Sequence, residues 1–207
     1  MDASIQRLSE LIKHHARERR ILVALAGPPG AGKSTLADSL KKALSAENIQ
    51  TQVVPMDGFH LDDAILVERG LRPRKGAPKT YDVAGLKVLL ERLRSETASD
   101  VFYPVFDRAT ESSRAAADKV GPEHRVVIVE GNYLLLDEPV WRDIATLFDH
   151  TIMVTAPLAE LQRRLVQRWL NHHYSADEAR EKFAGNDLLN AELVVTRSLA
   201  ADLTIED

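Results

Sequence analysis

One short loop in this sequence has the residue types that bind phosphate groups. Residues 27–35 read GPPGAGKST and fit the pattern G-x-x-x-x-G-K-[ST] at every fixed position. The glycines let successive backbone amides point toward one centre, the lysine can reach the outer phosphates, and the serine hydroxyl can bind magnesium. The loop therefore predicts binding of ATP or GTP together with Mg²⁺. The expected nucleotide contacts are Gly27, Pro28, Pro29, Gly30, Ala31, Gly32, Lys33, Ser34 and Thr35.

Two acids follow segments that are predicted to be strands. Asp57 comes after residues 51–56, and Glu130 comes after residues 126–129. Ligands bind at the carboxyl ends of strands in open α/β sheets, so Asp57 is suited to accept a proton from an attacking hydroxyl or to orient it. The alternative is that Asp57 only caps the next turn. Glu130 is expected to hold magnesium, through water, opposite Ser34.

Cationic side chains are concentrated in two further segments. Residues 69–81 form a basic loop without acids, which either binds an anionic ligand or is simply solvated. The helix that begins near Pro157 carries Arg163, Arg164 and Arg168, of which the last two share a face. An arginine that closes over a transferring phosphate stabilises its charge, although many helix surfaces are basic for no such reason. A break at residues 171–175 is typical of a lid hinge, and we place the lid at about residues 163–185.

The elements that must position these residues alternate between strand and helix. Short apolar runs predict strands at residues 21–26, 51–56, 126–129, 151–154 and 201–205. Helical spacing predicts helices at residues 3–18, 34–46, 62–68, 83–95, 139–147, from Pro157 onward, and at 185–196 with Leu188, Leu189, Leu193 and Val194 inward. Residues 101–108 contain a proline and suit an edge strand or an extended arm. We expect one domain over residues 1–207, a three-layer α/β fold whose central, mostly parallel sheet has helices on both faces.

The composition excludes several classes of protein. Twenty-seven basic residues against 31 acidic ones give a net charge of −4, so no global basic field predicts a nucleic-acid partner. No apolar run approaches the roughly 20 residues that span a bilayer, and the first residues lack the apolar centre of a signal peptide. Cysteine is absent, which fits a reducing interior. We expect a cytoplasmic protein without membrane insertion, and the sequence leaves its oligomeric state open, a homodimer included.

The order of several short motifs resembles that of the P-loop small-molecule kinases, which include uridine kinase, phosphoribulokinase and bacterial pantothenate kinase. Within this group, the chain is similar to a bacterial branch commonly labelled as fructose transport system kinases. Beyond the loop, the matching motifs are Met56-Asp57-Gly58-Phe59, Arg74-Lys75-Gly76 with Pro78, Tyr81-Asp82, Tyr103-Pro104 with Asp107-Arg108, Glu130-Gly131, and Asn186 to Asn190 before Ala201-Asp202. The resemblance implies that Asp57 is the catalytic base and that Glu130, Arg164 and Arg168 take the metal and lid roles. Pantothenate kinases are longer than this chain, and uridine kinases lack its Asp-Gly-Phe-His form.

The sequence thus predicts an ATP-dependent kinase that transfers the γ-phosphoryl group to a hydroxyl of a small polar metabolite, such as a sugar, a nucleoside or a pantothenate-like alcohol. The catalytic candidates are Lys33, Asp57, Arg164 and Arg168, and the substrate-binding candidates are His60, Arg74, Tyr81, Asp107, Arg108 and Asn190. One alternative is a regulatory module of a sugar transport system that binds nucleotide without phosphorylating an acceptor. A GTPase is disfavoured because the chain has no Asn-Lys-x-Asp segment to read the base.

Overall fold

A computed structural model of the chain describes residues 3–16 and 18–206. The strands in this part are β1 (Ile21–Ala26), β2 (Thr51–Pro55), β3 (Val101–Asp107), β4 (Ser112–Val120), β5 (Val126–Gly131), β6 (His150–Thr155) and β7 (Leu203–Glu206). The helices are α1 (Ala3–Ala16), α2 (Lys33–Ala46), α3 (Asp63–Glu68), α4 (Val83–Ser95), α5 (Pro139–Ala145), α6 (Leu158–Asn171), α7 (Ala176–Lys182) and α8 (Leu188–Arg197). None of the described helices is both long and apolar enough to cross a membrane.

The main sheet has five strands in the order β2-β5-β1-β6-β7, and all its neighbouring pairs are parallel. Every residue of β1 is buried, because helices cover both faces of the sheet. One apolar cluster joins α4 and α5 to the sheet, and a second cluster joins α1, α2 and α6 to its other face. The predicted three-layer α/β fold is therefore confirmed.

The central strands bring their carboxyl ends together at one edge. The phosphate-binding loop follows β1, a 3₁₀ turn at Met56–Phe59 follows β2, and β5 ends at Gly131. Strand β5 pairs with both β1 and β2, with Gly131 opposite Ala26 and Glu130 opposite Pro55. The loop and both predicted acids consequently lie side by side.

A separate antiparallel hairpin, β3 with β4, packs beside this edge. Strand β3 was predicted as extended, whereas β4 was not predicted, because most of its residues are exposed and give no apolar alternation. The Tyr103 hydroxyl, with its ring buried, donates a hydrogen bond to the backbone oxygen of Val53 at 3.1 Å. This contact fixes the hairpin against β2, directly before the turn that carries Asp57.

The last third of the chain differs from the sequence prediction in three places. Helix α7 was not predicted; its N-terminus is closed by a capping box between Ser175 and Glu178. A π-helical turn at Phe183–Asp187 precedes α8, which therefore starts later than expected. The inward prediction for Leu189 is wrong, since this side chain is 47% exposed and the buried side of α8 includes the polar Asn190. For the first helix, residue 17 of the predicted range 3–18 lies outside the described residues.

Candidate active site

The phosphate-binding loop lies between β1 and α2, and its lysine points back into the loop. Gly32, the residue before α2, has a φ of 87°, a left-handed conformation that residues with side chains rarely adopt. Helix α2 therefore directs its positive dipole end toward the loop. The Lys33 ammonium donates hydrogen bonds to the carbonyl oxygens of Gly27 at 3.0 Å and Pro28 at 2.9 Å. It also donates to Asn132 Oδ1 at 2.8 Å.

Ser34 and Glu130 face each other beside the loop. The Ser34 hydroxyl donates a hydrogen bond to Glu130 Oε2 at 2.8 Å. Burial raises the pKa of Glu130, while the bond from Ser34 and the charge of Lys33 lower it in part. Burial also lowers the pKa of Lys33 to about 8, against the charges of Glu130 and Asp57. A hydroxyl and a carboxylate at hydrogen-bond distance are oxygen donors of the kind that Mg²⁺ prefers, so these residues fit the predicted magnesium site.

Asp57 lies in the 3₁₀ turn after β2, with its carboxylate toward the cleft. The residue before the turn is Pro55, and no side chain makes a capping hydrogen bond there; Asp57 Oδ2 accepts a hydrogen bond from Arg108 Nη2 at 3.3 Å. Its Oδ1 lies 3.5 Å from the Tyr81 hydroxyl, whose burial raises the pKa of the phenol well above its ordinary value. This geometry favours a carboxylate that faces a ligand in the cleft over one that only caps the turn.

The end of β5 packs tightly against the turn that carries Asp57. A Cβ atom added to Gly131 would lie 2.6 Å from the Cβ of Met56, closer than such atoms approach in proteins. Gly131 is the last residue of β5 and follows Glu130, and Met56 is the first residue of the turn and precedes Asp57. A larger residue at position 131 would therefore have to displace Met56, next to Asp57.

Two connected cavities lie in front of this edge. The smaller one, about 230 Å³, is lined by the phosphate-binding loop and brings together Lys33, Ser34, Asp57, Glu130, Asn132, Arg108 and Arg168. The larger cleft, about 970 Å³, is lined by four of the predicted substrate residues: His60, Tyr81, Arg108 and Asn190. Asp57, Asn132 and Arg168 line both cavities, so they lie where the two meet.

The ring of His60 forms part of the wall of the larger cleft. It packs against Tyr81, with ring centroids 4.2 Å apart, and against Phe106 at 4.8 Å. Its Nδ1 lies 2.9 Å from the backbone oxygen of Asp57. Burial lowers the pKa of His60, which keeps the imidazole neutral near pH 7. The side chain thus supports the turn of Asp57 without adding charge.

The lid arginines differ in what they contact. Arg168 Nη2 lies 3.2 Å from Asp187 Oδ1, and this side chain lines both cavities. Arg164 bonds to Glu160 at 2.6 Å and donates to the backbone oxygen of Gly30 at 3.3 Å. Arg164 therefore supports the back of the loop, and Arg168 is the arginine that the fold directs into the cleft.

Two of the predicted substrate residues do not line the cleft. Arg74 donates hydrogen bonds to the backbone oxygen of Gly185 at 2.9 Å and to Asn190 Oδ1 at 3.3 Å, so it joins the basic loop to the far end of the lid. Asp107 accepts a hydrogen bond from the Ala109 amide at 2.9 Å, within the turn of the β3-β4 hairpin. Its neighbour Arg108 reaches Asp57 instead.

Several cleft residues were not identified from the sequence, of which Asn132 and Asp187 are the most informative. Asn132 follows Glu130 by two residues, and its position after a buried strand was the available signal. Asp187 is buried and accepts a hydrogen bond from Trp169 Nε1 at 2.6 Å. It lay within the motif from Asn186 to Asn190, but nothing in its spacing indicated a partner on α6.

The chain is similar to proteins of known sequence and structure over most of its length. Residues 23–183 match the protein family described as "AAA domain". The Escherichia coli (strain K12) protein named "Uncharacterized protein YggC" is 37% identical over 192 residues, which cover 91% of this chain and 78% of that protein. The Schizosaccharomyces pombe protein named "Putative uridine kinase C227.14" is 32% identical over 213 residues, which cover 99% and 89%.

A solved structure is similar to the whole described fold. The crystal structure of a "putative fructose transport system kinase" from Silicibacter sp. TM1040 superposes with a TM-score of 0.91 at 47% sequence identity. The superposition covers 97% of this chain and 98% of that one. The resemblance inferred from the motifs is confirmed by these similarities.

Proposed function

Because the chain belongs to the AAA-domain family and has relatives named as kinases, we propose that it transfers the γ-phosphoryl group of ATP to a hydroxyl of a small polar metabolite. One observation carries the proposal: Lys33, Ser34, Asp57, Glu130 and Arg168 line a single cavity at the carboxyl ends of adjacent strands. These are a phosphate-binding cation, two oxygen donors suited to magnesium, a candidate base and a second cation. Phosphoryl transfer needs this combination, because catalysis in that class is almost entirely positioning and charge stabilisation.

In this proposal, the phosphate-binding loop and the lid carry the charge of the transferred group. Lys33 exchanges its carbonyl and Asn132 partners for phosphate oxygens, and Arg168 approaches the same group from the lid. Ser34 and Glu130 would hold Mg²⁺, which when bound neutralises charge on the phosphates. Asp57 orients the acceptor hydroxyl and accepts its proton. Arg108 and Tyr81 keep the carboxylate of Asp57 directed into the cleft.

The acceptor would bind in the larger cleft. Its volume of about 970 Å³ is at the upper end of the range for small-molecule sites, so a sugar, a nucleoside or a pantothenate-like alcohol fits. The wall near Asp57 is formed by His60, Tyr81 and Phe106, which offer aromatic faces to an acceptor. Asn132 and Asn190 also line the cleft, and each would exchange a hydrogen bond within the protein for one to a hydroxyl group of the acceptor.

The decisive experiment is a screen of hydroxyl-bearing metabolites for acceptor-dependent release of ADP. With an active acceptor, Asp57→Asn should lower kcat by about 10²- to 10⁴-fold and leave the Kd for MgATP nearly unchanged, because a positioned base acts only on the chemical step. Asp143→Asn, which changes an exposed acid on α5, is the matched control and should behave like the parent. ADP release that is independent of every added metabolite would instead support a regulatory nucleotide-binding module, and an Asp57→Asn protein with parental kcat would exclude Asp57 as the base.

A further inference from the structure

The buried acid Asp187 connects the lid arginine to the tryptophan beside it. Its side chain is only 8% exposed at the end of the π-helical turn Phe183–Asp187. One carboxylate oxygen accepts a hydrogen bond from Trp169 Nε1 at 2.6 Å, and the other lies 3.2 Å from Arg168 Nη2. The guanidinium also lies 5.3 Å from the centre of the Trp169 ring. Arg168 is thus fixed by a carboxylate and a ring face that are themselves joined to each other.

This arrangement selects one direction for a side chain that is otherwise free to move. The side chain of Arg168 is 40% exposed and has several rotatable bonds, so many orientations compete in solution. A buried carboxylate with a charge-assisted contact outweighs such competition, whereas an exposed pair contributes little. The direction that Asp187 selects is the one in which Arg168 lines both cavities.

The turn that ends in Asp187 is hydrogen-bonded to the basic loop at residues 69–81. Arg74 donates to the backbone oxygen of Gly185, and the Asn186 amide donates to the backbone oxygen of Lys75 at 2.8 Å. Both contacts end on the π-helical turn, and turns of this kind are frequent at functional sites. The basic loop also lines the acceptor cleft through Lys75. Hydrogen bonds between side chains and backbone therefore connect the basic loop, which lines the acceptor side of the cleft, to the turn that ends in Asp187.

We propose that Asp187 is the positioning residue for Arg168, and that the bonds from the basic loop to the π-helical turn make this positioning depend on the acceptor side of the cleft. The proposal rests on the proposed function, in which Arg168 stabilises the transferred phosphoryl group. Asp187 lines the larger cleft but not the smaller, phosphate-side cavity, so in this proposal its effect on the phosphate side passes through Arg168.

The test compares single and double variants in turnover of MgATP, with an acceptor from the screen or with water as the slow acceptor. Asp187→Asn keeps an oxygen for Trp169 but removes the charge that holds Arg168. We expect Asp187→Asn and Arg168→Met each to lower kcat about 10- to 100-fold with the Kd for MgATP within threefold of the parent. Because the residues act as one unit, the double variant should be no slower than Arg168→Met alone. Asp187→Glu should restore part of the loss, and Asp177→Asn, an exposed acid on the lid, should have no effect.

A spectroscopic measurement follows the same contacts without relying on an acceptor. The chain has two tryptophans, so in a Trp141→Phe background Trp169 is the only one and reports on its bond to Asp187. Asp187→Asn should shift its emission, and Arg74→Met, which releases the π-helical turn without touching the buried acid, should shift it as well and lower kcat. Independent, multiplicative losses in the Asp187 and Arg168 double variant would overturn the proposal, as would parental kcat and emission in Arg74→Met. Failure of the metabolite screen would count against the kinase function and leave this coupling measurable with MgATP alone.

Discussion

Binding of MgATP at pH 8 should be accompanied by uptake of protons at Lys33. Burial lowers the pKa of this ammonium to about 8, so at pH 8 about half of the lysines are neutral in the nucleotide-free protein. Phosphate oxygens replace the neutral carbonyl and amide partners on binding, which favours the charged form and raises the pKa again. The expected uptake is about 0.1 proton per nucleotide at pH 7, about 0.5 at pH 8 and about 0.9 at pH 9.

Isothermal titration calorimetry measures this uptake directly. The binding enthalpy is recorded in several buffers, and its slope against the ionisation enthalpy of the buffer gives the number of protons. Lys79→Met, which changes an exposed lysine of the basic loop, should retain the slope of the parent. A slope near zero at all three pH values would show that the lysine is fully charged before nucleotide arrives, and the reasoning from burial would be wrong.

Burial of the Lys33 charge should also lower the stability of the nucleotide-free protein. Between pH 8 and 10.5 the unfolded chain binds more protons than the folded one, so the free energy of unfolding rises with pH across this window. Below pH 8, Lys33→Met should be more stable than the parent by about 1 to 3 kcal/mol, the upper figure being the full shift and the lower allowing for partial exposure. The advantage should vanish as the pH approaches 10.5. Urea unfolding with EDTA present tests this, and a variant less stable than the parent at pH 7 would contradict it.

Three further predictions concern the scaffold. Arg20 is buried and donates hydrogen bonds to four backbone carbonyls, so Arg20→Met should lower the free energy of unfolding by about 3 to 5 kcal/mol in urea titrations. Arg19→Met changes an exposed side chain and should lower the free energy of unfolding by less than about 1 kcal/mol. Equal losses in the two variants would refute the distinction. Gly131→Ala must displace Met56, so kcat should fall strongly while the midpoint of thermal unfolding falls only slightly. A parental kcat would disprove the close contact. Burial lowers the pKa of His150 below its unfolded value, so the free energy of unfolding should decrease as the pH falls below about 6.5. The stability of His150→Asn should depend less on pH in this range. Identical profiles of stability against pH for the parent and the variant would refute this prediction.

The phosphate-binding loop and the strand tips were predictable because their signals are local. The loop is a continuous motif, Glu130 follows an apolar run typical of a buried parallel strand, and Asp57 follows a segment with the pattern of a strand. Parallel pairing of adjacent strands then brings such residues together without further information. The family and the fold class follow from these pieces and are confirmed. The roles of individual site residues stay predictions until the variants are measured.

The remaining parts of the site depend on contacts between distant segments. Arg74 was expected to bind substrate, and it instead bonds to Gly185, more than a hundred residues away. Asp187, which bonds to Trp169, ends a π-helical turn between α7 and α8, and apolar spacing does not reveal such a turn. Strand β4 was missed for a related reason, since an exposed hairpin strand needs no alternating pattern. Long-range polar contacts and exposed strands therefore cannot be predicted from a single sequence.

Glu130 lies in the sheet, and the turn that carries Asp57 packs closely on Gly131 at the end of β5, whereas the groups that would recognise an acceptor lie on the basic loop, the hairpin and the lid. Exchange of those peripheral segments would alter selectivity while the reacting geometry stays untouched. If the proposed function holds, selectivity would be changed by replacing the surrounding loops with those of a relative that uses a different acceptor, while the ends of the strands are kept.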